Sequence, residues 1–158
     1  MNSLFNIIFV TIFIMSSQLI RQYEVQIESK LNVECISENQ SVLIEFNVVN
    51  SEDIPLYIST VGLLFEMSVF DQGGKRIIPT RKIEANALDV EDYILLKPKS
   101  SSVIKLNTQF FYQFDLKSDI IYSLESTYSN KLNNRKDKKV KTIKGEIPIN
   151  TLYFKMCK

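Results

Sequence analysis

Residues 120–128 read IIYSLESTY, and their alternation of apolar and polar side chains decides the fold. Successive side chains of a β-strand point to opposite faces, so every second residue shares a face. One face of this segment is mostly apolar and carries Ile120, Tyr122, Leu124, Ser126 and Tyr128. The other face carries Ser123 and Glu125. The segment is therefore predicted to be a strand with one side in a core and the other in solvent.

The same two-residue period recurs along the chain. In residues 42–49 it places four apolar side chains on one face: Val42, Ile44, Phe46 and Val48. Further segments rich in β-branched and aromatic residues are 23–27, 31–36, 64–70, 103–106 and 151–156. Such residues at this period predict that each segment is a β-strand.

Turn-forming residues separate these segments. Residues 71–74 (Asp-Gln-Gly-Gly) tolerate positive φ and predict a hairpin before residues 75–78. Pro98 and the serines at 100–102 predict the turn that follows residues 93–96. Turns at such spacing favour short strands that run antiparallel.

The number and spacing of the strand segments predict the fold class. Seven or more short strands in one domain are typical of an antiparallel β-sandwich. Only residues 81–92 are a candidate for a helix or an irregular stretch, because no segment keeps a helical period beyond about two turns. We therefore expect an all-β protein with a sandwich of about seven to nine strands.

Residues 4–15 form an almost unbroken apolar run. The run is about as long as the core of a secretory signal peptide and is short of the roughly 20 residues that a membrane span needs. We expect residues 1–17 to be a signal peptide and residues 23–158 to form one domain. The predicted location is extracytoplasmic, either periplasmic or secreted. The alternative is an uncleaved membrane anchor over residues 4–20.

Cys35 and Cys157 are the two cysteines of the chain. An exported protein meets an oxidising environment in which such a pair can close. A disulfide and two separate buried thiols are the interpretations that the sequence leaves open. A zinc site is not expected, because structural zinc takes four ligands and the chain has two cysteines and no histidine.

The formal net charge is only +1, but the charges are unevenly distributed. Residues 131–158 hold nine basic and two acidic side chains, whereas residues 18–130 hold ten basic and sixteen acidic ones. Candidate contact residues within the basic stretch 131–144 are Lys136, Lys138 and Lys139. A solvated loop is the simpler interpretation, and contact with an acidic protein or anionic lipid is the alternative. Nucleic acid is not expected, because the stretch contains no aromatic residue for base stacking.

The densest aromatic cluster consists of Phe110, Phe111, Tyr112 and Phe114. In a strand, Phe111 would point away from the other three, so part of the cluster would be exposed. Burial in the core and an exposed protein-binding patch are both open interpretations. We take Phe110, Phe111 and Tyr112 as candidate partner-contact residues.

The residue types present limit the chemistry. The chain has no histidine, which excludes Ser-His-Asp and Cys-His nucleophile systems. A serine with a lysine base remains, and three lysines lie near the serines at 100–102: Lys97, Lys99 and Lys105. A solvated turn is the simpler interpretation, because a lysine base must be desolvated. The acidic residues Glu84, Asp89, Glu91 and Asp92 match no calcium-loop spacing. We expect no catalytic residue, no metal and no cofactor.

The order of several short motifs resembles a known family. The motifs are Asn47-Val48-Val49-Asn50, Phe65 with Val69-Phe70-Asp71, Asp92-Tyr93 through Lys97-Pro98, Phe114-Asp115-Leu116 and Tyr122-Ser123-Leu124. This order resembles the immunoglobulin-like accessory domain that precedes the catalytic domain of deuterolysin-type (aspzincin) metallopeptidases and also occurs alone in bacterial exported proteins. The resemblance covers residues 23–157 and implies an immunoglobulin-like β-sandwich. It implies no catalysis, because the zinc-binding His-Glu-x-x-His motif is absent.

Without catalytic groups, the domain is predicted to bind rather than to catalyse. We expect an exported binding or interaction module with a protein partner, because sandwich loops commonly carry recognition. An extracytoplasmic inhibitor or immunity-type protein that blocks an enzyme is the first alternative, and a lysine-assisted hydrolase is the second. Membrane contact is expected only through an uncleaved N-terminal segment or the basic stretch.

Overall fold

The computed structural model describes most of the chain that follows the apolar N-terminal run. The described residues are 25–33, 35–37, 40–64, 66–81, 93–130, 141–143 and 145–157. The N-terminal run and nearly all of the predicted helical or irregular stretch 81–92 lie outside these ranges. The predictions made for them remain predictions.

Within the described ranges, the chain forms ten β-strands and two short 3₁₀ helices. The strands are β1 (Val25–Leu31), β2 (Val42–Asn50), β3 (Leu56–Ser59), β4 (Glu66–Phe70), β5 (Arg76–Ile77), β6 (Tyr93–Leu96), β7 (Ser100–Thr108), β8 (Ile121–Ser129), β9 (Lys141–Thr142) and β10 (Glu146–Lys155). The 3₁₀ helices are Val61–Leu63 and Phe110–Gln113. The predicted all-β class is confirmed. In this part of the chain, neither helix has the length or apolar character needed to cross a membrane.

The strands form three sheets. One has the order β1-β2-β7, a second has the order β10-β8-β4-β5, and a third, smaller sheet has the order β6-β3-β9. All strand pairs are antiparallel except β3 and β9, which run parallel. The architecture is therefore mostly antiparallel, as the turn signals predict.

The core is built from the inner faces of the two larger sheets in a sandwich-like arrangement. β2 contributes four side chains with no exposed surface: Val42, Ile44, Phe46 and Val48. The four-stranded sheet contributes Val69, Tyr122, Leu124, Tyr128 and Phe154. The inward faces predicted for β2 and β8 are confirmed. Each fully buried Val, Leu, Ile or Phe side chain stabilises the fold by roughly 1.5–3 kcal/mol.

The hairpin predicted at residues 71–74 joins β4 to β5. One carboxylate oxygen of Asp71 accepts hydrogen bonds from the backbone N–H groups of Gly73 and Lys75, both at 2.9 Å. Gly74 has a φ of 75°, in the left-handed region that favours glycine. Asp71 and Gly74 therefore form the turn that the sequence predicts.

One strand of the structure, β1, covers residues 25–27 of the first predicted strand and the first residue, Leu31, of the second. β1 pairs with β2 along its whole length, from Val25 opposite Asn50 to Leu31 opposite Ile44. Its charged residue Glu28 does not interrupt it, because it occupies an outward position of the strand. The strand predicted over residues 31–36 is therefore wrong beyond Leu31.

The serines at 100–102 were predicted to form a turn, and this is also wrong. They begin β7, where Ser100 pairs with Asn50. The turn lies just before them, where Lys99 has a φ of 48°. The nine-residue partner strand β2 explains the difference, because its backbone groups pair with β7 up to Ser100.

One amide side chain connects the edges of the two larger sheets. Asn150 of β10 accepts a hydrogen bond from the backbone N–H of Ser29 in β1. Its amide nitrogen donates to the carbonyl oxygen of Ser29 at 3.0 Å. Asn150 thereby supplies the donor and acceptor that a neighbouring strand would offer to Ser29. It lies where the register of β10 with β8 shifts, between Ile149 and Leu152.

Candidate binding cleft beside the disulfide

Cys35 and Cys157 form a disulfide, with their Cα atoms 5.3 Å apart. Backbone hydrogen bonds flank the bridge. The N–H of Ile36 donates to the carbonyl of Lys155 at 2.8 Å, and the N–H of Cys157 donates to the carbonyl of Ile36 at 2.9 Å. The bridge attaches the β1–β2 connection to the chain just after β10. Of the two interpretations left open by the sequence, the disulfide is the one that the structure contains.

The aromatic cluster forms the 3₁₀ helix Phe110–Gln113 and not a strand. Phe111 of this helix and Phe114, which follows the helix in an extended conformation, are both buried. Phe110 is partly buried and packs against the core, whereas Tyr112 is 41% exposed. The strand geometry assumed for this cluster is therefore wrong. Of the three candidate contact residues in it, Tyr112 is the one with an exposed side chain.

Arg81 positions Tyr112. Its guanidinium carbon lies 4.6 Å from the centre of the Tyr112 ring, within the range of a cation–π contact. One guanidinium nitrogen also donates to the carbonyl of Tyr112 at 3.4 Å. The backbone N–H groups of Thr80 and Arg81 both donate to the carbonyl of Gln113, at 2.8 and 3.1 Å. The chain entering from β5 therefore holds the exposed tyrosine from one side.

A cleft of about 220 Å³ lies between the 3₁₀ helix Phe110–Gln113 and the disulfide. Three residues singled out from the sequence line it: Phe111 and Tyr112 of the aromatic cluster, and Cys157 of the cysteine pair. Apolar side chains from Leu116 and Met156 also line it. The charged side chains in its wall are Arg81 and Asp115.

The size and lining of the cleft suit a side chain of a partner protein. Its volume is below the roughly 300–1,000 Å³ of most small-molecule sites. Tyrosine and arginine, here Tyr112 and Arg81, are the residue types most often found to carry binding energy at protein interfaces. Both cysteines of the chain are used in the bridge, so the cleft contains no thiolate nucleophile.

The serines at 100–102 are not placed beside a desolvated lysine. The three lysines near them, Lys97, Lys99 and Lys105, are all exposed. The ammonium group of Lys99 lies 3.3 Å from Asp53, and that of Lys105 lies 2.9 Å from Glu45. A lysine that acts as a base needs a desolvated site, and these three lysines lie in solvent. This geometry does not support a lysine-assisted hydrolase.

The other residues considered from the sequence lie outside the described part of the chain. They are the acidic Glu84, Asp89, Glu91 and Asp92 and the basic Lys136, Lys138 and Lys139. Within the described ranges, no group of three or more cysteine, aspartate or glutamate side chains could hold a metal ion. The predictions for the acidic group and for the three lysines stay predictions.

Several residues of the cleft were not identified from the sequence. Arg81 is 31 positions from Tyr112, and no local pattern connects the two. Asp115 and Leu116 belong to a quoted motif, Phe-Asp-Leu, but the motif indicated fold and not a binding site. Met156 lies at the cleft just after β10, where it forms β-bridges with Ile36 and Ser118. The one sequence feature that could have indicated the cleft is the aromatic cluster, through which of its side chains are buried and which are exposed.

The chain matches no protein-family model, and no curated protein matches it. The fold, the disulfide and the cleft are therefore the observations that bear on function.

Proposed function

We propose that this chain is an exported, non-catalytic binding module of the immunoglobulin-like class, which holds a partner protein at the cleft beside the Cys35–Cys157 disulfide. One observation carries the proposal. Tyr112 is 41% exposed, lines a cleft with both apolar and polar walls and is held by the Arg81 guanidinium. A rigid aromatic side chain beside a cation is an effective anchor, because little conformational freedom is lost when a partner packs on it.

The strand orders support the immunoglobulin-like class. In that class, one sheet contains strands A, B and E, and the facing sheet contains strands G, F and C, with C′ added in some members. The order β1-β2-β7 corresponds to A-B-E, and the order β10-β8-β4-β5 corresponds to G-F-C-C′. The small β6-β3-β9 sheet is an addition to this scheme.

A side-chain contact at the start of β8 also supports the class. The hydroxyl of Tyr122 accepts a hydrogen bond from the N–H of Lys117 at 2.9 Å and lies 3.4 Å from the carbonyl of the same residue. A tyrosine near the start of strand F that bonds back to the backbone a few residues upstream is typical of immunoglobulin-like domains. Tyr122 also lies in one of the motifs on which the resemblance to the deuterolysin accessory domain rests.

The disulfide and the apolar run at residues 4–15 support export. Disulfides persist in extracytoplasmic compartments and are rare in the cytosol. A signal peptide over residues 1–17 would deliver the domain to such a compartment. With residues 4–20 retained as an anchor, the domain would carry out the same binding at the membrane.

The proposal is tested by comparing partner capture between variants. The host's extracytoplasmic fraction is passed over the wild-type protein, Tyr112→Ala, Arg81→Ala and Val103→Ala. Val103 of β7 is exposed and does not line the cleft, so Val103→Ala serves as the control. We expect one stoichiometric partner, retained by the control and weakened by about tenfold or more in Tyr112→Ala.

Two results would contradict the proposal. One is the absence of any stoichiometric partner, and the other is equal capture by the wild type and both cleft variants. If the captured partner is an enzyme, its activity in the complex separates two roles. Loss of activity favours the extracytoplasmic inhibitor or immunity-type protein, and retained activity favours an interaction module.

A further inference from the structure

One strand of the β1-β2-β7 sheet has a free edge. β7 is the outermost strand of that sheet, and in the part of the chain that the structure describes no strand lies beyond it. The preceding strand β6 is only residues 97–99 away but pairs with β3 instead. All nine residues of β7 pair with β2 in one unbroken register, so the free edge is long and has no bulge.

The hydrogen-bond pattern shows which backbone groups lie at this edge. In an antiparallel pair, residues that bond across to the neighbouring strand alternate with residues that point away from it. Ser29 of β1 points away from β2, because its N–H and its carbonyl both bond to Asn150. Phe46, which lies opposite Ser29, therefore points away from β1 and towards Ile104 of β7.

The same alternation fixes the rest of β7. The N–H of Asn32 donates to the carbonyl of Leu43 at 3.4 Å, so the odd-numbered residues of β2 bond to β1 and the even-numbered ones to β7. The odd-numbered residues of β7 consequently present their N–H and carbonyl groups at the free edge. They are Ser101, Val103, Lys105 and Asn107. No backbone hydrogen bond from another described residue reaches these groups.

Little protects the edge from another strand. Proteins shield free edges with proline, bulges, short strands or charged side chains. β7 contains no proline, and its one charged side chain, Lys105, is bound to Glu45 at 2.9 Å. Because Glu45 lies on β2, the lysine is directed over its own sheet and not across the edge.

The sandwich is also open on this side. Ser102 and Leu106 point inward but are only half-buried. The residues opposite them on β2, Val48 and Ile44, have no exposed surface. One more strand beyond β7 would place an inward side chain beside Leu106 and cover it.

The free edge ends next to the residues of the cleft. β7 leads directly into the 3₁₀ helix Phe110–Gln113, where the N–H of Phe110 donates to the hydroxyl oxygen of Thr108 at 3.0 Å. Tyr112, the anchor in the proposed function, lies in this same turn of helix. A partner held at Tyr112 therefore has an unpaired strand beside it.

We propose that the free edge of β7 binds an extended segment of a partner protein as an added β-strand. The backbone of the segment supplies the donors and acceptors that the four odd-numbered residues lack. Its side chains alternate, with an apolar one beside Leu106. The choice of partner rests on the proposed function, because we assign the segment to the protein held at the cleft. A second copy would contribute only one strand pair, which is a small contact for a stable dimer.

The edge is tested first with a synthetic probe, using the full chain with its disulfide intact. The probe is a fluorescently labelled peptide of nine residues in which Val and Thr alternate. In the matched control peptide, two adjacent central amides are methylated, which blocks both edges of the peptide. Binding is measured by fluorescence anisotropy to the wild type, Val103→Pro and Val103→Ala. Proline removes the N–H at the edge and no bond to β2, whereas alanine keeps that N–H.

We expect the wild type and Val103→Ala to bind the probe at least about tenfold more tightly than the methylated control. Val103→Pro should weaken binding of the probe by about tenfold. Hydrogen exchange in the wild type repeats the test without a variant, in case Val103→Pro does not fold. The probe should slow exchange at the amides of Val103 and Lys105, whereas that of Ile104, already bonded to β2, should not change.

The capture experiment of the proposed function is then repeated with Val103→Pro. Weaker capture of the same partner by both Val103→Pro and Tyr112→Ala is the expected result. Loss in Tyr112→Ala alone would overturn this inference and leave the proposed function standing. Loss in Val103→Pro alone would support the edge and contradict the cleft.

Three other outcomes would overturn the inference. They are equal binding of the probe and the methylated control, probe binding that Val103→Pro does not change, and slow exchange at the amides of Val103 and Lys105 in the free protein. The last would mean that the edge is already covered. Slow exchange that persists on dilution would indicate another segment of the same chain, and slow exchange that disappears on dilution would indicate a second copy.

Discussion

At the residue scale, Tyr128 shows how a polar group is accommodated in the core. Its side chain has no exposed surface, and its hydroxyl accepts a hydrogen bond from the backbone N–H of Ser59 at 3.3 Å. Burial raises the pKa of Tyr128 to about 12, because it disfavours the charged phenolate. The hydrogen bond from Ser59 lowers this pKa, and the nearby Tyr93 raises it further.

This pKa predicts a loss of stability in alkali. In the unfolded chain Tyr128 ionises near pH 10, whereas in the folded protein it keeps its proton up to about pH 12. The stability due to the neutral tyrosine is therefore complete below pH 10 and falls as the pH rises towards 12. Two pKa units correspond to on the order of 3 kcal/mol. Urea unfolding across this pH range should show the fall in the wild type and a smaller one in Tyr128→Phe, and identical curves would contradict it.

Gly62 packs so closely against Tyr128 that a larger residue does not fit at this position. A Cβ atom at this position would lie 2.8 Å from the Tyr128 ring and 2.9 Å from the carbonyl oxygen of Ser129. Neither can move easily, because one is a core side chain and the other is backbone. Gly62→Ala should lower the free energy of unfolding by about 1–3 kcal/mol.

The matched control is Gly73→Ala in the β4–β5 hairpin. There a Cβ would meet the end of the Asp71 side chain at 3.3 Å. We expect a smaller effect for this variant, measured by chemical denaturation of both proteins. Equal destabilisation by the two changes would show that the Tyr128 contact is not the cause.

At the element scale, the sequence predicts strands best where they are long and have one buried face. β2 and β8 each have nine residues, and their alternation identifies both the strand and its inward side. β3 was missed, because three of its four residues are buried and the segment shows no clear alternation. The 3₁₀ helix Phe110–Gln113 is not predicted from the sequence, because a single turn is too short to establish a period.

The cleft could be predicted only in part, because its residues come from distant parts of the chain. The sequence identified the aromatic cluster and the two cysteines, but not that they would lie together. Their proximity depends on contacts between distant parts of the chain, such as the Phe111 ring packed on the Phe154 ring of β10 with their centres 4.7 Å apart, and the disulfide itself. Contacts between distant residues leave no periodic signal in a single sequence.

The Asn150 contact between β1 and β10 gives a prediction for the sheet edges. Asn150→Ala removes both hydrogen bonds to Ser29, whose buried N–H and carbonyl are left without that partner. We expect a loss of about 1–3 kcal/mol in the free energy of unfolding and faster hydrogen exchange at the Ser29 amide. Asn47→Ala, at an exposed position of β2, is the control and should change neither quantity. Unchanged exchange at Ser29 in Asn150→Ala would contradict the proposed role.

At the scale of the whole molecule, one covalent bond closes nearly the entire domain. The disulfide joins residues separated by 122 positions, so it restricts the unfolded chain strongly. By the chain-entropy estimate, such a loop stabilises the fold by roughly 4 to 5 kcal/mol. The bridge also forms part of the cleft, so it contributes both to stability and to the binding surface.

Removing the bridge should therefore have a large effect. The double variant Cys35→Ser with Cys157→Ser should lose roughly 4 to 5 kcal/mol in urea unfolding, and reductant should destabilise the wild type by a similar amount. Reductant should leave the double variant unchanged, which provides the control. A double variant as stable as the oxidised wild type would mean that the bridge does not constrain the unfolded chain.

The central claim is that an export signal delivers a disulfide-closed β-domain to a compartment outside the cytoplasm. The most direct test is the mass of the intact chain recovered from fractionated host cells, read before and after reduction. The account predicts an extracytoplasmic chain that lacks its N-terminal residues up to about position 17 and that gains the mass of two hydrogen atoms on reduction. A full-length cytoplasmic chain whose mass does not change on reduction would contradict it.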